Sequence, residues 1–118
     1  MLDDRTRMDA SHLLDAVGQA VIATDAEGCI LFWNRGAETL YGWSAADVIG
    51  RPVLEVTPAM HSAEEAAAIL EQLQRGESWS GEIELRRWDG GTFLARVTDT
   101  PVLDEDGRLV GAIGVSGT

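Results

Sequence analysis

The chain has 118 residues, with 9 basic residues, all of them arginine, against 20 Asp and Glu, for a formal charge of −11. Neither Arg5 with Arg7 nor Arg86 with Arg87 outweighs its acidic surroundings, so nucleic-acid binding by counterion release and docking on an anionic membrane leaflet are set aside. An apolar share of 45% supplies one domain's core and excludes a disordered chain.

Residues 1–10 read as a charged N-terminal extension. A short helix is predicted through Leu13, Leu14 and Val17, capped by Asp9 or Ser11 and stopped at Gly18. It is too short to stand alone and must dock. Residues 20–24 and 29–33 are apolar runs separated by Asp25-Ala26-Glu27-Gly28, a hairpin whose glycine can take positive φ. Asn34 ends the second strand and caps a helix through Leu40 that Gly42 closes. Ser44-Ala45-Ala46-Asp47 has the form of a capping box, with Val48 and Ile49 behind it, Gly50 as the stop and Pro52 beyond. Ser62-Ala63-Glu64-Glu65 is a second such box. Ala66, Ile69, Leu70 and Leu73 then fall at i, i+3, i+4 and i+7, the stripe of one long amphipathic helix ending at Gly76.

The period then changes to two. Ile83 and Leu85 alternate with Glu82, Glu84 and Arg86; after the turn Trp88-Asp89-Gly90-Gly91, Phe93, Ala95 and Val97 share one face and Leu94, Arg96 and Thr98 the other. Beyond Pro101, the turn Asp104-Glu105-Asp106-Gly107 leads into a last strand over 109–115. Two strands, several helices and a three-strand meander predict an α+β fold, an antiparallel sheet of about five strands with the helices gathered on one face.

Cys29 has no disulfide partner, no Cys/His set has metal-ligand spacing, and no window reaches the roughly 18 apolar residues of a spanning helix; a cytoplasmic protein without a metal is expected. Cys29 reads as a small buried apolar residue. The carboxylates sit mostly at turns and caps, with no pair placed as general acid and base. There is no nucleophile elbow, phosphate loop or calcium loop, so no catalytic residue is assigned.

Several pieces, in their order and spacing, resemble the PAS sensor domains over about residues 11–116. They are Val21-Ile22-Ala23-Thr24-Asp25-Ala26-Glu27-Gly28 with Ile30 and Asn34, Ala37-Glu38-Thr39-Leu40-Tyr41-Gly42-Trp43-Ser44 and Val48-Ile49-Gly50-Arg51-Pro52. Trp79-Ser80-Gly81-Glu82, Arg87-Trp88-Asp89-Gly90 and Pro101-Val102-Leu103-Asp104-Glu105-Asp106-Gly107 follow. The resemblance implies a PAS domain over 11–118, a five-stranded antiparallel sheet of order 2-1-5-4-3, and a cavity between sheet and helices. It implies a sensor and protein-contact module of bacterial signal transduction, such as two-component or transcription regulation, and not an enzyme. Family members usually continue through an Asp-Ile-Thr segment into a signalling helix. This chain stops at Gly117-Thr118, so a piece of a longer protein with a covalently linked output domain is expected.

The family's cofactors can be tested position by position. Flavin photoreceptors need a reactive cysteine after Gly-Arg-Asn, and here Val53 follows Gly50-Arg51-Pro52. Leu54 and Leu70 stand where those relatives clamp the flavin phosphate with arginine, and Leu85, Ala95 and Ser116 where polar groups read the ring. Bound FMN is disfavoured, since each unmet polar atom costs about 1–3 kcal/mol; a noncovalent FAD is less constrained and stays as a minor option. Glu64 or Glu65 occupies the position of the axial haem ligand. His61 lies a turn earlier, before the capping Ser62, and His12 lies on the first helix, so haem is disfavoured as well.

What remains is an apolar cavity. The resemblance and strand alternation put Ile22 and Thr24, Phe32, Ile83 and Leu85, and Ala95 and Val97 on its sheet wall. Val53, Val56, Met60, Ala66, Ile69 and Leu70 stand opposite. With Thr24, Tyr41 and Ser116 as polar handles, this lining suits a small apolar or aromatic ligand. Two other readings stay open: a filled core in a ligand-free interaction or dimerisation module, and an FAD redox sensor. Trp33, opposite in phase to Phe32, is expected to face outward and to form a homodimer contact with Leu13, Leu14 and Val17. Trp79 and Trp88 are expected at hairpin edges and Trp43 at a helix junction.

Overall fold

In a computed structural model that describes residues 10–16, 18–57 and 63–117, the period-two segments pair into one antiparallel sheet of order β2-β1-β5-β4-β3. The strands are β1 (Ala20–Asp25), β2 (Ile30–Trp33), β3 (Trp79–Arg86), β4 (Thr92–Leu103) and β5 (Leu109–Gly117). The helices are α1 (Ala10–Asp15), α2 (Arg35–Tyr41), α3 (Ala45–Val48), α4 (Val53–Val56) and α5 (Ala63–Gln74). This is the α+β architecture and strand order expected; α4, a single turn behind Pro52, was not foreseen. Val17, Met60 and His61 lie outside the described residues, as does the side chain of His12.

Local chemistry explains the connections. In the β1–β2 turn the Asp25 carboxylate accepts from Glu27 N and Cys29 N, both at 2.9 Å, while Gly28 takes φ 83°. Asn34 is the junction of the whole N-terminal half. Its Oδ1 accepts from Ala37 N and Val21 N at 2.8 Å, and its Nδ2 donates to Leu14 O at 2.9 Å and Gln19 O at 3.0 Å. One buried amide thus caps α2 and ties the end of α1 to β1. The cap at Ser44 is not the expected box: Ser44 Oγ donates to Asp47 Oδ2, and Ala45 N is satisfied by Glu38 Oε2 at 2.8 Å, while the box expected at Ser62 begins outside the described residues. Gly42, at φ 84°, ends α2, and the Trp88 ring lies where its Cβ would be. Trp88 N also donates to Tyr41 O, which fastens the tip of the β3–β4 hairpin to α2.

Two expectations are overturned by a bulge. The register Thr24↔Ile30, Ala23↔Phe32, Ile22↔Trp33 leaves Leu31 as an extra residue in β2. The extra residue reverses the facing of everything after it. Trp33 therefore points to the helix side, 4% exposed, with its Nε1 on Trp43 O at 2.9 Å and its ring 5.4 Å from Tyr41. Phe32 takes the other face, half-buried, and lines no cavity. A buried Trp33 cannot serve as the outward contact expected of it.

One end of the helix side is tightly packed, around Ile30, Trp33, Ala37, Tyr41 and Val48. Val56 and Ala95 belong to this packed cluster, not to a cavity wall. The other end, beneath α5, is not filled.

Candidate functional site

The unfilled end is a cavity of about 520 Å³ between α5 and α4 on one side and the sheet on the other. Its origin is the small size of the residues at the middle of the sheet. β5 presents Ala112, Gly114 and Ser116 toward the helices, in register with Thr24, Ile22 and Ala20 of β1, and α5 answers with Ala66 and Ala67. Larger side chains, Ile22, Ile83, Leu85 and Val97 from the strands and Val53, Ile69, Leu70 and Leu73 from the helices, form the surrounding walls. Leu54 and Leu70 are 65% and 48% exposed, and both line it.

Of the residues expected at a ligand site, Ile22, Thr24, Tyr41, Val53, Ala66, Ile69, Leu70, Ile83, Leu85, Val97 and Ser116 line this one cavity. Phe32, Val56 and Ala95 do not, and Met60 is outside the described residues.

The polar groups gather at one pole. Tyr41 Oη and Ser116 Oγ are 2.8 Å apart and both residues are buried. Burial pushes the Tyr41 phenol above its ordinary 10.0; the Ser116 hydrogen bond opposes this and the Asp99 charge adds to it. Asp99, which also lines the cavity, was missed by sequence reasoning although β4 alternation from Ala95 and Val97 leads straight to it. Gly114 was missed with it: a Cβ there would stand 2.9 Å from Asp99 Oδ1, so the glycine makes room for that carboxylate. At the rim, the β1–β2 turn contributes Asp25 and Glu27. Leu13, expected at a dimer contact, is 52% exposed on α1.

No group of three or more His, Cys, Asp or Glu among the described residues is placed to hold a metal ion. No helix among them is long and apolar enough to cross a membrane. Cys29 is half-buried and does not line the cavity, and Glu64 and Glu65, at the axial-ligand position of haem-binding relatives, do not line it either. Trp43 Nε1 is buried with no hydrogen-bond partner among the described residues, and the Arg51 guanidinium stacks 5.4 Å over its ring.

Comparison with known proteins gives one consistent answer. The family model described as the PAS fold matches residues 9–116. A crystal structure of the PAS domain of a protein from Colwellia psychrerythraea is 32% identical, with a TM-score of 0.74 over 87% of each chain. The light-state structure of the blue-light photoreceptor Aureochrome1 LOV, 24% identical with a TM-score of 0.73 over 93% of this chain and 88% of that one, shares the fold. Among curated proteins, rice (Oryza sativa subsp. japonica) phototropin-2 is 28% identical over 114 residues, 94% of this chain and 13% of that protein. The probable diguanylate cyclase DgcE of Escherichia coli K12 is 28% identical over 111 residues, 85% of this chain and 9% of that protein. The chain therefore spans a small part of each curated relative's length.

Proposed function

Since this chain belongs to the PAS family, whose sensory domains recur in signalling proteins, we propose that it binds a small apolar or aromatic molecule in the cavity beneath α5 and passes that event to a linked output domain. The observation that carries the reading is the volume of about 520 Å³ left by Ala112, Gly114 and Ala66, within the range of small-molecule sites. The relatives that lend support through their printed names include phototropin-2 and a probable diguanylate cyclase. Occupancy is coupled to the rest of the fold through Tyr41, which lines the cavity, ends α2 and holds the β3–β4 hairpin by its carbonyl. We place the domain in the cytoplasm, as part of a longer chain.

The residues present do not fit a phosphorylated flavin. Among the described residues the cavity is lined by Asp25, Glu27 and Asp99 and by no arginine or histidine, and Leu54 and Leu70 stand where a phosphate would need cations. A noncovalent FAD, less constrained by these positions, stays as the minor option.

Native mass spectrometry of the protein purified without denaturation tests the proposal. A copurified small molecule released on unfolding, with no absorption band of flavin or haem, is the expected result; a flavin or haem spectrum would contradict it.

A second reading, a ligand-free interaction or dimerisation module, is favoured by the other sheet face, where Leu94, Val102 and Ile113 are exposed. Sedimentation of wild type against Ile113→Glu checks it, with loss of self-association expected if that face is the contact.

A further inference from the structure

Resting on the reading of the cavity as a ligand site, we infer that its ligand is an uncharged ring compound bearing a carbonyl oxygen, and that this oxygen accepts a hydrogen bond from the buried Tyr41–Ser116 hydroxyl pair. Tyr41 Oη and Ser116 Oγ stand 2.8 Å apart, and both residues line the cavity. Two hydroxyls carry two protons, and the bond between them uses one. Whichever hydroxyl donates, the other keeps its proton, and neither has a further hydrogen-bond partner among the described residues. The two residues are 2% and 3% exposed, so bulk water has little access to that proton. A buried donor left without an acceptor is more unfavourable than a spare oxygen lone pair, so the pair calls for an acceptor from the cavity side.

The proton stays in place at neutral pH, because burial holds the Tyr41 phenol above its ordinary 10.0. One neutral donor suits a carbonyl oxygen. It does not suit a carboxylate, which would give up its hydration for a single hydrogen bond and would find no arginine or histidine among the described lining residues. A pure hydrocarbon would fill the same space and leave the proton unmet. Beyond the pair the floor is apolar and low: Gly114 and Ala112 follow Ser116 along β5 on the same face, and the four-residue step from Ser116 to Ala112 spans about 13 Å. Ile22 and Val97, the cross-strand partners of Gly114 and Ser116, wall this strip on its two sides. A fused ring fits over it with its carbonyl at the hydroxyl end.

Tetralin and 1-tetralone share one bicyclic frame and differ by the carbonyl alone, so tetralin has no hydrogen-bonding atom. Both are titrated by methyl-resolved NMR into the wild-type protein and into the double variant Tyr41→Phe/Ser116→Ala. Replacing both hydroxyls together by apolar groups of nearly the same shape is close to neutral for folding. The preference for 1-tetralone over tetralin is expected to fall by about fivefold in the double variant. Tyr41→Phe or Ser116→Ala alone leaves one hydroxyl proton and should lower it by less. The infrared carbonyl band of bound 1-tetralone gives an independent reading in the wild type, informative even if the double variant does not fold. It is expected at the frequency the ketone has in an alcohol, and should move to its hydrocarbon-solvent frequency in the double variant. A preference unchanged by the double substitution, or a wild-type band at the hydrocarbon frequency, overturns the inference and leaves the ligand site standing. If neither compound moves the cavity methyls, the ligand-site reading fails and this inference fails with it.

Discussion

Removing the Asn34 side chain is the most revealing perturbation of the fold, because a single amide holds α1, β1 and α2 together. Asn34→Ala strips partners from two amides, Val21 N and Ala37 N, whose residues are 3% and 0% exposed, and from the Leu14 and Gln19 carbonyls nearer the surface. Each buried amide left without a partner costs about 1–2 kcal/mol, and each carbonyl that can recover water about half that. The Ala37 amide is also the N-cap bond of α2, and the expected destabilisation from the four bonds together is about 4 kcal/mol, a large share of the roughly 5–15 kcal/mol typical of a domain. With a urea slope of about 1.5 kcal/mol/M the midpoint falls by roughly 2.5 M, which equilibrium unfolding followed by tryptophan fluorescence reads directly. A loss below about 1 kcal/mol would refute the role given to Asn34, since it would mean that its four hydrogen bonds are replaceable.

Three further outcomes are expected. Tyr41 is the one tyrosine in the chain, so its ultraviolet titration gives a single signal, with a midpoint above 10.0 when folded and a return to the ordinary value in urea. Because the folded value is the raised one, the associated stability is intact below the unfolded pKa and is lost as pH rises through the folded one; the alkaline loss should be smaller in Tyr41→Phe. Gly42→Ala should cost about 2 kcal/mol or more, combining a left-handed backbone with a methyl group in the place of the Trp88 ring, and should shift the fluorescence of that exposed indole. Trp33→Ala should cost about 3–5 kcal/mol in unfolding experiments and leave the sedimentation coefficient unchanged, as suits a core residue and not a contact residue.

Much of this was legible in the residues, and the failures have definite causes. Alternation located the cavity-facing residues of β1 and β3 correctly because those strands pair without an interruption before Thr24 and along the whole of β3. It failed in β2, where the extra Leu31 exchanged the faces of Phe32 and Trp33; a one-residue bulge leaves no mark in composition or period. Ala95 was placed on the cavity wall by alternation and the resemblance, and it does share the helix-side face, but it lies in the packed cluster with Tyr41. The void instead lies over Ala112 and Gly114; the expected strand order already put β5 at the centre of the sheet, but Ser116 was the one residue of β5 named for the lining. Asp99 lay on a face already read as apolar. Its alternation was readable, but the carboxylate runs against the binary pattern, and such departures are where function is expected.

Methyl-resolved NMR of the labelled protein titrated with indole tests the central claim most directly, because it asks where a small aromatic goes. The structure predicts shifts at Ile22, Ile69, Ile83, Leu85 and Val97, which line the cavity, with Ile113 and Leu94 on the opposite sheet face unmoved. Shifts confined to Ile113, Leu94 and Val102, with the cavity methyls silent, would contradict it and make the sheet surface the working part of the domain.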